Sequence, residues 1–325
     1  MSNKIWAALC AVLGLATAVF AVLTVMNIKN PSQTEAPAAK AEYKLEDGVP
    51  ADALADELAG LIPSNMKSAS YPDGILESMK PLYAANKNTV GRLTIPGTEM
   101  DTAVVQAKDN SKYLSVDFYE RQTYETSSLN YGNIYLDYRC SHTDSLSKNM
   151  VIHGHTTGKS DGVPKQAFRS LYDYRDKKTF IKSPIIKYST LYGEHTYKIC
   201  AVFYSTTQPS ADNGYFFNYI YPDMSDSNMV GYIEQVKQRM LYDTGVSLEP
   251  TDKVLTLSTC IYDYGKHIDT RLVVLARLLH DGEDESIDIS AVKDNPDYRR
   301  PQVWYSSNGK TNPYKNAARW EPSPN

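Results

Sequence analysis

From Ile5 to Met26 the chain carries no charged residue and is dominated by Ala, Val and Leu. At about 1.5 Å of rise per residue, a helix of this run spans roughly 33 Å, enough for the hydrocarbon core of a bilayer. The pattern predicts an uncleaved transmembrane anchor over residues 1–29. A cleaved signal peptide would be shorter and followed by small residues, whereas Asn27-Ile28-Lys29-Asn30-Pro31 follows here. Residues 30–49 are rich in Ala, Pro, Lys and Glu without apolar periodicity, as expected of an extended linker. Over 50–88 the spacing changes to that of helices. Leu54, Leu58, Leu61 and Ile62 share one stripe of a helix over 51–62, and Ile75, Met79, Leu82 and Tyr83 share one over 74–86.

From Val90 the runs become short, apolar and β-like: 90–95, 102–106, 133–137, 149–153, 184–190, 196–204, 253–260 and 271–279. Eight such runs separated by turn residues predict a closed or nearly closed β-barrel, so the fold class is mainly β with peripheral helices, the barrel domain covering 89–280. Helical patches at 109–116, 164–172 and 227–242 interrupt the strands. The last has an apolar stripe of Met229, Ile233, Val236, Met240 and Leu241. Beyond His280 periodicity disappears and Pro, Asn, Asp and Ser accumulate, which predicts a loosely attached polar tail over 281–325.

Charge narrows the function classes. With Lys+Arg 34 against Asp+Glu 38 and no long basic run, nucleic acid is disfavoured as a partner. Lys4 before the apolar helix and Lys29 and Lys40 after it barely bias its orientation. Cys10 reads as apolar filler in the anchor. Cys140, Cys200 and Cys260 are odd in number and far apart, so at least one thiol is expected free.

Candidate chemistry centres on Cys260, which closes a strand-like run. Arg271 opens the next run eleven residues later. A hairpin would place thiol beside guanidinium, favouring the thiolate and offering a cation to an oxyanion. Strand alternation puts Leu255 and Leu257 in the core and Thr256, Ser258 and Cys260 on the other face, with Ser258 toward a cleft. Cys200 sits in an apolar run and reads as inert, whereas Cys140 at a strand end is the stronger rival. Arg271 alone would read as a strand-edge charge paired with Asp269 or Asp263; its hairpin relation to Cys260 favours the site. For proton transfer, Asn149-Met150-Val151-Ile152-His153-Gly154-His155 offers a strand ending in glycine, where the turn would project His155. His153 competes, and reads better as a cleft wall.

These residues resemble the sortases: Thr256-Leu257-Ser258-Thr259-Cys260 at a strand end, the Gly154-His155 step, and Arg271 opening the next strand. The stretches Val90–Thr98, Ala103–Gln106 and Asn133–Arg139, with the two preceding helices and that at 227–242, resemble class B in particular. The resemblance covers about residues 50–280. It implies a membrane-tethered transpeptidase of mainly Gram-positive bacteria, with an eight-stranded barrel outside the cell. In that reading Cys260 attacks the carbonyl of Thr in a Pro-x-Thr-type C-terminal sorting signal of a surface protein. An amine of a peptidoglycan cross-bridge or of another protein then resolves the thioacyl enzyme. His155 is implied as acid/base and Arg271 as oxyanion or backbone clamp, with Ser258 and His153 in the substrate wall. No cofactor or metal site is implied, and membrane lipid is met only through the N-terminal helix. His153 departs from the family, which often has an aromatic there, and the tail exceeds what the barrel requires.

Two other readings stay in view. One is a peptidoglycan-directed cysteine peptidase of another fold, for which Arg271 has no evident need. The other is a non-catalytic anchored peptide-binding module, in which Cys260 would react with thiol reagents no faster than Cys140.

Overall fold

The computed structural model describes residues 70–121, 132–143, 145–155, 168–264 and 268–323. Among the described residues ten strands run in chain order: β1 (Thr89–Thr94), β2 (Asp101–Val105), β3 (Tyr135–Leu136), β4 (Asn149–Gly154), β5 (Ile185–Thr190), β6 (Glu194–Thr206), β7 (Tyr242–Asp243), β8 (Val254–Ile261), β9 (Thr270–Leu278) and β10 (Lys293–Asp294). Eight close into a barrel in the order β1-β2-β3-β4-β8-β9-β6-β5, with β5 returning to β1. β2/β3 and β4/β8 pair in parallel; the other neighbours are antiparallel. Each expected strand is present.

Alternation explains the barrel. Leu255 and Leu257 of β8 and Leu272, Val274 and Ala276 of β9 point into a core shared with Val151, Ile152 and Ile186. Burying each such aliphatic side chain stabilises the fold by roughly 2 kcal/mol. The opposite face of β6, β8 and β9 carries Ala201, Phe203, Val254, Val273 and Leu275, part of a second apolar cluster. Its cover is the helix α3 (Asp226–Arg239), whose Met229, Tyr232, Ile233 and Val236 are buried. Ser225 caps α3 by accepting from Asn228 N. The helix ends three residues before the sequence pattern does. Leu241 N donates to Val202 O at 2.8 Å and Met240 bridges to Phe203, so pairing with β6 overrides the helical period.

The helices at 74–86 and 109–116 are shorter than their patterns. The run at 74–86 holds a 3₁₀ turn at Glu77–Met79 and α1 (Lys80–Ala85), with Pro81 in the first turn, where its missing N–H is harmless. A single 3₁₀ turn occupies Lys112–Leu114 and a six-residue 3₁₀ segment Ser170–Arg175; the pattern at 164–172 begins outside the described residues. Helices α2 (Lys177–Lys182) and α4 (Gln302–Ser307) and the small sheet of β7 with β10 are not signalled by periodicity. The expected anchor, linker and 51–62 helix lie outside the described residues. Among the described residues no helix is long and apolar enough to cross a membrane.

The tail is the main correction. Instead of hanging free, it is packed from its first turn. Glu283 accepts from Arg277 at 2.6 and 2.7 Å, from Lys198 Nζ at 2.8 Å and from His280 N at 3.0 Å. Arg277 and Lys198 side chains are only 5% and 8% exposed, so both depend on that carboxylate. These donors, Arg277 foremost, hold the Glu283 carboxyl well below its usual range. Glu283→Gln is therefore expected to cost about 2 kcal/mol, read as a lower urea midpoint at neutral pH. The stabilisation from a depressed carboxyl pKa is present at neutral pH and lost on acidification, so the gap between parent and variant should close toward acid.

Candidate active site

β8 and β9 form an antiparallel hairpin in which Cys260 lies directly opposite Arg271. Arg271 Nη1 donates to Cys260 Sγ at 2.5 Å, and the same nitrogen lies 2.6 Å from Asp269 Oδ1. The ion pair with Asp269 and the contact with the thiol therefore coexist. Asp263 is engaged elsewhere, accepting from Arg175 Nη1 at 2.7 Å and Tyr172 Oη at 2.6 Å.

The parallel pairing of β4 with β8 ends at Gly154 opposite Thr259. His155 is the next residue of its strand and Cys260 the next of the other, so the two take adjacent positions at one strand mouth. His153 opposite Ser258 sets the parity, putting His155 on the Cys260 side. His155 Nε2 donates to Leu114 O at 2.9 Å; a carbonyl only accepts, so this fixes the proton on Nε2 and leaves Nδ1 for exchange. Gly154 does not act as the expected sharp turn. It remains in the ladder, and a Cβ there would stand 2.7 Å from Phe168 and 2.8 Å from Ile134. Close packing requires the glycine.

Of the two substrate-wall candidates, Ser258 needs correction. Ser258 is on the face of Cys260, as alternation requires, but it is buried and hydrogen bonded to Tyr219 Oη at 2.9 Å. It is covered rather than open to a cleft. His153 is half-buried, its Nε2 lies 3.1 Å from Asp137 Oδ2, and its ring meets Tyr135 at 5.3 Å. Asp137, itself fully buried, also accepts from Arg139 and Asn110; burial pushes its carboxyl up, but Arg139 and His153 outweigh it and hold the carboxyl well below the usual range. His153 is thus fixed by an ionised carboxylate at the edge of the site.

The thiols separate by environment. Cys140 and Cys200 are buried, bond to Asn149 O and Leu275 O, and burial pushes both up to about 12. Cys260 is half-buried. Burial pushes its thiol up, Arg271 pulls it down, Asp269 adds to the rise, and the net shift is upward. The expected standing thiolate is therefore not favoured in the free site, despite the close guanidinium: desolvation of the anion outweighs the single cation. Iodoacetamide alkylation of Cys260 is expected to keep accelerating at about pH 9, where an ordinary thiol is levelling off. A plateau near neutral pH would contradict this assignment.

Tyr219 and the Leu114 carbonyl are the partners that sequence reasoning misses, whereas Asp269 is the carboxylate it offers to Arg271 as an alternative to the site, and the structure holds both contacts. His142 and His195 are partly buried, which lowers both, and His280 pairs with Asp252 at 2.7 Å at the open end of the β8–β9 hairpin, opposite the end that holds Cys260 and Arg271. Among the described residues, no group of three or more His, Cys, Asp or Glu is arranged to hold a metal.

The model of the sortase domain matches residues 93–279, more than half of the chain and the whole of the hairpin and β4. The chain belongs to the sortase family. Sortases are cysteine transpeptidases acting on sorting signals, and the relatives of this sortase are of class B. It is 28% identical to sortase B of Listeria monocytogenes over 228 residues, 70% of this chain and 84% of the relative. To sortase B of Staphylococcus aureus it is 26% identical over 215 residues, 66% of this chain and 80% of the relative. The 2.0 Å crystal structure of the staphylococcal protein superimposes with a TM-score of 0.53 at 25% identity, covering 70% of this sortase and 96% of that chain.

Proposed function

We propose that this sortase cleaves a Pro-x-Thr-type sorting signal after Thr and passes the acyl group to an amine of the cell wall or of another protein. The supporting observation is the Cys260–Arg271 contact with His155 at the neighbouring strand position. Solved structures of Staphylococcus aureus sortase B with a substrate and of sortase B with triglycine support a peptide donor and an amine acceptor for this fold.

In this reading the Cys260 proton passes to His155 Nδ1 as sulfur attacks the Thr carbonyl. Arg271 stabilises the oxyanion, its guanidinium keeping a positive charge at all relevant pH. The C–N bond breaks, His155 protonates the leaving amine, and a thioacyl enzyme remains. The incoming amine loses a proton to His155 and displaces sulfur. The apolar run at 5–26 anchors the chain in the membrane with the barrel outside the cell, where sorting signals and wall amines are met. Incubation with a Pro-x-Thr peptide library and triglycine, followed by mass spectrometry, should show a Cys260-linked acyl adduct and a triglycine-extended product. A library that yields neither would sink the reading.

A further inference from the structure

Residues 207–225 join β6 to α3, and Tyr215, Phe217 and Tyr219 among them pack on the face of β8 and β9 that carries Ser258, Cys260 and Arg271. Thr206, just before them, donates to Asp269 O at 2.6 Å, beside the carboxylate that holds Arg271. Tyr219 covers Ser258, two residues before the nucleophile, and the carbonyls of Tyr219 and Tyr221 accept from Asn149 at the base of β4. This segment is one wall of the site.

The wall is held from behind by the tail, which the barrel does not need in order to close. Asp212 accepts from Gln302 N at 2.9 Å, and Asn213, at φ 54°, gives its carbonyl to Arg319 at 2.8 Å. The Tyr215 hydroxyl is bracketed by Trp320, accepting from its N–H and donating to its carbonyl, both at 3.0 Å. Asn228 of α3 exchanges two 2.9 Å hydrogen bonds with the backbone of Ser323. The Trp320 ring meets Phe217 at 5.8 Å and Tyr232 at 5.7 Å, and Phe217 in turn meets Tyr219 at 6.3 Å. A continuous chain of contacts thus leads from Trp320 through Phe217 and Tyr219 to Ser258.

An independent feature of α3 points the same way. Gly231 sits in mid-helix, where alanine would be the better former. A Cβ at this position would lie 2.2 Å from Trp320 Cδ1. The helix surrenders its own propensity to seat the indole, as expected if that seat matters more than the helix taken alone.

We propose that Trp320, seated on Gly231, is a positioning residue that sets the 207–225 wall and thereby the recognition of the sorting peptide, without taking part in the chemistry at Cys260. This rests on the peptide-transfer reading above. A tail that merely stabilised the barrel would lower all functions together; one that sets the wall acts on peptide binding.

The test uses the full-length chain and its Gly231→Ala, Trp320→Ala, Trp320→Phe and Arg319→Ala variants. Gly231→Ala removes no group and displaces the indole by its added methyl alone. Three readouts are needed: KM and kcat with the best-cleaved library peptide and triglycine, the rate of Cys260 alkylation by iodoacetamide, and hydrogen exchange of the 209–221 amides. Gly231→Ala and Trp320→Ala are expected to raise KM about tenfold, with kcat and alkylation within about twofold of the parent. Exchange at 209–221 should accelerate, and Trp320→Phe should restore most of the binding. Arg319→Ala, an exposed change that leaves the core intact, should give the same pattern in weaker form. Unchanged KM and unchanged exchange in folded Gly231→Ala and Arg319→Ala chains would overturn the proposal, as would KM, kcat and alkylation failing together. A parent enzyme that cleaves no peptide refutes the functional reading instead. The exchange measurement, which needs no substrate, still decides whether the tail sets the wall.

Discussion

Cys260→Ala is expected to abolish transpeptidation, with kcat lowered by roughly 10⁵-fold or more, as for the loss of a covalent nucleophile. The expectation follows from the environments of the three thiols. Cys140 and Cys200 are sealed in apolar surroundings that push them to about 12, so neither can substitute. Cys260→Ser is expected to be nearly as damaging, because a hydroxyl with the same neighbours is far harder to ionise. Peptide binding should survive in both variants, so an inactive Cys260→Ala chain that still binds the library peptide, measured by calorimetry, separates chemistry from recognition. Full turnover by that variant would end the mechanism.

Arg271→Ala is the second large effect, expected to lower kcat about 10²- to 10³-fold, the usual cost of losing an oxyanion donor. Two consequences are distinguishable. The guanidinium pulls the Cys260 thiol down, so its removal leaves burial and Asp269 unopposed and moves the thiol further up. Alkylation at neutral pH should then slow. Arg271→Lys would keep the charge but lose the rigid guanidinium plane that directs the Nη1 hydrogens at Sγ and Asp269, so it should restore alkylation more than turnover. If Arg271→Lys restores both equally, charge alone matters and the fork does not.

Much of this is legible in the chain. The two-residue period of β8 puts Leu255 and Leu257 in the core and Cys260 on the other face, because the pleat leaves no choice once the core side is apolar. The hairpin relation of Cys260 to Arg271 follows from two adjacent β runs and a short loop, a local property. Burial of Ser258 is not legible, since its cover, Tyr219, is 39 residues away and lies in a segment without periodicity. The proton bias of Cys260 escapes for a similar reason: a sequence shows the nearby arginine but not the depth of the thiol.

The tail shows the same division most clearly. Its lack of pattern reads as looseness, yet it docks by scattered anchors, Glu283, Arg299, Arg319 and Trp320, onto surfaces made by other elements. Periodicity detects an element that buries one face of itself; it cannot detect a strap held by single side chains. Order of residues suffices for the strands and for their faces, because these depend on alternation and near neighbours, and it offers the thiol, imidazole and guanidinium as candidates. Folding in three dimensions was needed to pair the end of β4 with the end of β8, to set how far burial opposes ionisation of Cys260, and to cover Ser258 with Tyr219. Each of these depends on segments distant in the chain meeting in space, and on the water their meeting excludes.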